Sequence, residues 1–239
     1  MRRRLLAAAL LSVGVVAGLA APAQAAPAAA AITVPDDFVP VLSDTRATGH
    51  YEVVGSGLRV YTEGSTTTDK VAEYVATSTP LAAAGEPSLA LTSNGDGTIR
   101  PGFQLVVDFD GDGTSDGILV GEPASYGNDW WASNGSKQFV KDAAPSHTAG
   151  SGSANHGTLD EWRAAFPDAQ VLAFGFSLGS GVRGDWTIDS ITFADTQYTF
   201  RQDVVLTSAA QCKNGGWATS TKPVFRNQGQ CVSSFARAK

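Results

Sequence analysis

Cysteine, histidine, clustered positive charge and long apolar runs are all scarce in this chain. Cys212 and Cys231 are its only thiols. A zinc site needs more thiols, or histidines near them, and neither is present. The histidines are His50, His147 and His156, all upstream of residue 160. No Lys/Arg cluster occurs beyond the N-terminus, which removes the electrostatic footprint that nucleic acid requires. Past residue 25 no stretch is long and apolar enough to span a bilayer, so no membrane span is expected.

The first 25 residues carry what the rest lacks. Met1-Arg2-Arg3-Arg4 is a basic head, Leu5 to Ala20 an apolar run, and Ala23-Gln24-Ala25 a small-x-small cleavage site. That order of features reads as a secretory signal peptide. Cleavage after Ala25 removes three arginines and leaves 14 basic against 23 acidic residues, a net charge of −9. Export also gives the two cysteines an oxidising compartment, so a Cys212–Cys231 disulfide is expected, with 18 residues between its ends.

After a leader segment (26–48), Ala/Pro-rich and then irregular, the pattern becomes β. Short runs at Tyr51–Val54, Leu58–Thr62, Val71–Ala76, Leu89–Thr92, Gln104–Asp108 and Gly117–Gly121 are separated by turn residues at near-regular spacing. Val171–Leu178, Trp186–Phe193 and Gln197–Arg201 continue the series. One helix is expected at Thr158–Phe166. Thr158 and Glu161 form a capping box, Leu159, Trp162 and Phe166 make one apolar stripe, and Pro167 follows the stop. The expected fold is a mostly antiparallel β-sandwich over residues 49–201, jelly-roll-like, with a small disulfide-closed element over 202–239.

Gly175-Phe176-Ser177-Leu178-Gly179 matches the G-x-S-x-G pattern of a hydrolase nucleophile elbow. An elbow needs a strand, a sharp turn and then a helix, with the catalytic histidine later in the chain. Here the alternation of Leu172, Phe174, Phe176 and Leu178 runs through the serine. Three glycines in the next six residues oppose a helix, and no histidine follows. The match is an accident of a glycine-rich strand.

Asp108, Asp110, Asp112 and Asp116, with Gly113, occupy relative positions 1, 3, 5, 9 and 6 of a calcium-loop pattern. Ca²⁺ seeks six or more oxygens, and close carboxylates repel unless a cation lies among them. An EF-hand needs a glutamate at position 12, where this chain has Leu119, and no helices flank the loop. The stretch resembles the single Asp-rich loops of FG-GAP-type and thrombospondin type 3-like repeats. That resemblance implies a structural calcium ion held by Asp108, Asp110, Asp112 and Asp116, with the Thr114 carbonyl as a further ligand. A plain Asp-Gly hairpin turn is the alternative.

Tyr126, Trp130 and Trp131 follow directly and are candidate sugar-stacking residues; adjacent strand positions face opposite ways, so core packing of one tryptophan is the competing expectation. Gly184–Phe193 resembles the closing strand of jelly-roll carbohydrate-binding modules. The Cys212–Cys231 tail is similar to a two-cysteine element of secreted actinobacterial proteins, and VVDFDGDGTSDGILVGE with NDWW to uncharacterised exported actinobacterial proteins. The function expected is a secreted, non-catalytic binding protein for a polysaccharide or cell-wall polymer. The rivals are a glycoside hydrolase or lyase on the same fold, or a structural envelope protein. Glu52, Glu63, Glu73, Glu86, Glu122 and Glu161 are available for hydrolysis, but no E-x-D-x-x-E strand pattern pairs them.

Overall fold

A computed structural model describes residues 27–95, 99–148 and 154–236; the expected signal peptide lies outside them. Two six-stranded sheets pack face to face. The first runs β1 (Ala28–Val34), β12 (Thr196–Gln202), β11 (Arg183–Phe193), β3 (Gly57–Glu63), β2 (His50–Val54), with β5 (Ser88–Ser93) on the opposite edge of β11. The second runs β4 (Lys70–Pro80), β10 (Gln170–Gly179), β6 (Gly102–Asp108), β7 (Gly117–Gly121), β8 (Asp129–Ala132), β9 (His156–Thr158). Every pairing is antiparallel except β1 with β12. The chain changes sheet at each step from β3 to β6 and again from β10 to β11, which makes the sandwich jelly-roll-like.

Period-2 alternation builds the core. Leu58, Val60, Ile188 and Phe193 face inward from one sheet, and Phe103, Leu105, Phe174 and Phe176 from the other. Phe174 stacks on Phe193 across the interface with ring centroids 4.5 Å apart. One local exception corrects the simple alternation of β10. A bulge between Val171 and Ala173 turns Val171 into the main core and leaves Leu172 only partly buried.

The strand reading of G-x-S-x-G holds. Ser177 lies inside β10, paired with Ala72 on one side and Gly102 on the other, and its hydroxyl is buried without a partner. Both glycines answer to β4 rather than to catalysis. A Cβ on Gly175 would lie 2.0 Å from the Glu73 carbonyl oxygen, and one on Gly179 would lie 2.6 Å from that of Asp69.

The leader segment is structured, contrary to its irregular look. Ala28–Val34 forms edge strand β1, and Ile32, Val34 and Phe38 enter the main core. The chain then crosses to the other sheet and follows the edge of β4, where Val39, Asp44 and Arg46 donate backbone hydrogen bonds to Tyr74, Ala72 and Lys70. The β4 edge of the second sheet is thereby covered. Buried Glu73 is held there too, accepting from the hydroxyls of Ser43 and Thr45.

At the other end, Cys212 and Cys231 are joined. They pack with Phe225, Leu206, Trp217 and Phe235 into a core separate from the sandwich. Replacing both cysteines by serine should remove about 3 kcal/mol from this element. Its amides should exchange faster while those of β6 and β10 keep their protection. Equal loss of protection in both regions would show that the element and the sandwich unfold as one unit. Among the described residues, no helix is long and apolar enough to cross a membrane.

Candidate functional site

A cleft of about 850 Å³ opens where β5 of one sheet faces the ends of β6, β7 and β8 of the other. Its floor is apolar: Leu89 and Leu91 come from β5, Phe103 from β6 and Trp130 from β8, and Phe103 meets Trp130 edge to face. Glu86, Glu122, Asp129, Asp160 and Arg100 line its rim, Glu86 and Asp160 being paired with Arg163. The rim carboxylates come from four separate stretches of chain. Only the packing of the two sheets assembles them.

The three aromatic candidates divide by strand parity. Trp130 is buried in the core and reaches the cleft from below. Trp131, on the opposite face, is partly exposed and stacks on Tyr126 at 6.1 Å. Its indole N–H donates to Glu122 Oε2 at 3.0 Å, so this pair orients a rim carboxylate from behind and does not itself line the cleft.

Behind the rim lies a cluster that sequence reasoning missed. Asp129 opens β8 and His156 opens β9; the register pairs Trp131 with His156, placing Asp129, Trp131 and His156 on one face. His147 arrives from the connection after helix α2 (Gln138–Ala143), which follows the single turn α1 (Pro123–Tyr126). Its Nδ1 lies 2.7 Å from Asp129 Oδ2, and His156 Nδ1 lies 2.9 Å from the same oxygen. His147 Nε2 lies 2.9 Å from Glu161 Oε1. Glu161 belongs to helix α3 (Leu159–Ala165), where the expected capping box forms with Thr158. Hydrogen bonds first to Glu161 and then to Asp129 raise the His147 pKa above the ordinary histidine value, and His147 in turn lowers that of Glu161. His147 and His156, which sequence reasoning left without a role, are brought together with Asp129 at the β8–β9 edge.

The acidic loop sits at the far end of the β6–β7 hairpin, about 20 Å of strand from the cleft. Asp108, Asp110 and Asp116 converge there, whereas Asp112 turns to accept from the Thr114 backbone and hydroxyl. Asp108 accepts from the amides of Gly111 and Gly113, and Asp116 Oδ2 from those of Phe109 and Asp110. Asp116 Oδ1 is buried and forms an ion pair with Lys137 Nζ at 2.5 Å. The carboxylates hold the Lys137 pKa above its ordinary value, Asp116 most strongly. The loop therefore already carries one cationic side chain at its mouth.

Comparison of the chain with protein-family models, curated proteins and solved structures finds no match.

Proposed function

We propose that this is a secreted binding protein for a polysaccharide or cell-wall polymer, and that it holds its ligand in the cleft between the sheets. The observation that carries this reading is the pairing of an apolar floor with a rim of carboxylates and one guanidinium. A sugar ring presents both surfaces at once, C–H faces for Leu, Phe and Trp and hydroxyls that donate to carboxylates. The volume is that of an ordinary small-ligand site. Pull-down on glycan arrays and isolated cell walls tests it. Arg100→Ala and Glu122→Ala should each weaken retention by about tenfold or more, equivalent to 1.4 kcal/mol, with unchanged melting temperature. Retention that survives both changes would place the ligand elsewhere.

Hydrolysis is the second reading, favoured by the several carboxylates on one cleft rim, since glycosidases work with a carboxylate pair across the scissile bond. New reducing ends released from a retained glycan, and lost in Glu122→Gln, would make the protein an enzyme; retention without release keeps it a binder.

Calcium in the acidic loop belongs to the same proposal, as a structural ion. Three converging carboxylates, two of them buried, fit a hard cation, and Lys137, half-exposed on a flexible stem, is its competitor. Asp108, Asp110 and Asp116 would supply the side-chain oxygens, with the Thr114 carbonyl and water completing the set. An ion that binds only the folded state stabilises it by about 2.7 kcal/mol at a hundred times Kd. Calcium should raise the melting temperature, Asp110→Ala should abolish the rise, and Lys137→Ala should enlarge it by removing the competing ammonium. Asp112→Ala should matter less, because that carboxylate is turned away. Identical melting in EDTA and in millimolar Ca²⁺, with no calcium heat by calorimetry, would reduce the loop to a hairpin turn.

A further inference from the structure

We propose that Asp129, His147 and His156 form a site for a divalent transition metal of the zinc type, with Glu161 as the positioning carboxylate behind it. Glu161 is fixed in the capping box, its Oε2 accepting from the Thr158 amide and hydroxyl at 2.8 and 3.0 Å. An ionised carboxylate only accepts, so the His147 Nε2 facing Glu161 Oε1 must carry a hydrogen. In the neutral imidazole the lone pair then lies on Nδ1, and Nδ1 points at a second acceptor, Asp129 Oδ2, 2.7 Å away. Two lone pairs at that distance require a positive centre between them. A proton supplies one; a metal ion supplies another and also uses the third atom present, His156 Nδ1, 2.9 Å from the same oxygen.

The donor set selects the metal. Two imidazole nitrogens and one carboxylate suit Zn²⁺ and its neighbours, whereas Ca²⁺ and Mg²⁺ prefer oxygen alone. Bonds of about 2.0–2.1 Å in a tetrahedron put ligand atoms about 3.3 Å apart, so each imidazole nitrogen must move about half an ångström from Asp129 Oδ2. Buried His156 and the strand residue Asp129 form the fixed side; His147, more than a third exposed, is the side that gives. The carboxylate on the far nitrogen of a ligating histidine is the usual outer partner of such a site, and Glu161 stands in that place. Three protein ligands leave a coordination position for water or a ligand group.

Chelator-treated full-length protein is titrated with Zn²⁺ by calorimetry, and with Co²⁺ while its visible d–d absorption is followed. One equivalent of each metal should bind, the Co²⁺ spectrum having the intensity of a tetrahedral site. His147→Ala and Asp129→Asn should abolish both signals. Glu161→Gln should weaken Zn²⁺ binding by about 10- to 100-fold, the usual cost of losing an outer-shell partner, and Asp110→Ala should leave it unchanged. Circular dichroism checks that each variant folds; if Asp129→Asn does not, His147→Gln at the exposed ligand decides instead. No Zn²⁺ heat with the unaltered protein, or a heat that survives His147→Ala and His147→Gln, would overturn the site and leave the cluster bridged by a proton.

Discussion

Trp162→Ala is expected to destabilise the sandwich by about 3–5 kcal/mol, the range for removing a buried Trp or Phe side chain. Trp162 is fully buried on α3, lies parallel to Phe166 at 6.1 Å and leans on Phe109 at 5.8 Å. Its indole N–H also donates to the Trp130 carbonyl at 2.9 Å, joining the helix to β8. Truncation therefore opens a cavity and removes a donor from a buried carbonyl. Against the 5–15 kcal/mol that holds a typical domain, this is a large fraction. Chemical denaturation should show it as a lower midpoint. Trp162→Phe, which keeps most of the volume and loses the donor, should cost about 1–3 kcal/mol. The effect also reaches the site, because α3 carries Glu161 and Asp160. A loss below 1 kcal/mol for the alanine variant would mean that α3 is not part of the cooperative core.

Gly175→Val should prevent folding altogether. The added Cβ would meet the Glu73 carbonyl oxygen at 2.0 Å and the Tyr74 Cα at 2.9 Å. These are backbone atoms of the paired strand, so no flexible side chain can yield. Relief would require β4 to separate from β10, and those strands pair along most of their length. The neighbouring serine supplies the contrast. Ser177→Ala removes a buried hydroxyl that has no partner and should be neutral or stabilising. A fluorophosphonate probe should leave the unaltered protein unlabelled, because the described histidines are engaged elsewhere: His147 and His156 with Asp129, and His50 against Tyr61. A folded Gly175→Val protein, or stoichiometric labelling lost in Ser177→Ala, would contradict this account of the motif.

The division between what was legible and what was not follows the range of the forces involved. Alternation in Leu58–Thr62 and Trp186–Phe193 is a local signal, because a strand with one buried face must repeat every two residues. Those strands stand where the pattern puts them. The α3 capping box is equally local, its two partners being three residues apart. The disulfide needed only two thiols and no competitor. By contrast, Ala28–Ala31 has no alternation to read, and becomes a strand because β12 offers it an open edge. The bulge at Val171–Ala173 is imposed where β10 pairs with β4 on one side and β6 on the other.

The sites divide the same way. The Asp108–Asp116 spacing is visible in sequence because one tight loop holds all the carboxylates, though only the fold turned Asp112 aside and brought Lys137 to the mouth. The cleft and the Asp129–His147–His156 cluster have no sequence signature. Asp129 stands 18 residues from His147 and 27 from His156, distances at which no local periodicity relates side chains. The register of β8 with β9 brings them together, and the closure of one sheet over the other creates the space beside them. Local pattern determined the strands; long-range pairing, whose geometry is settled only when both partners are folded, decided where their chemistry meets.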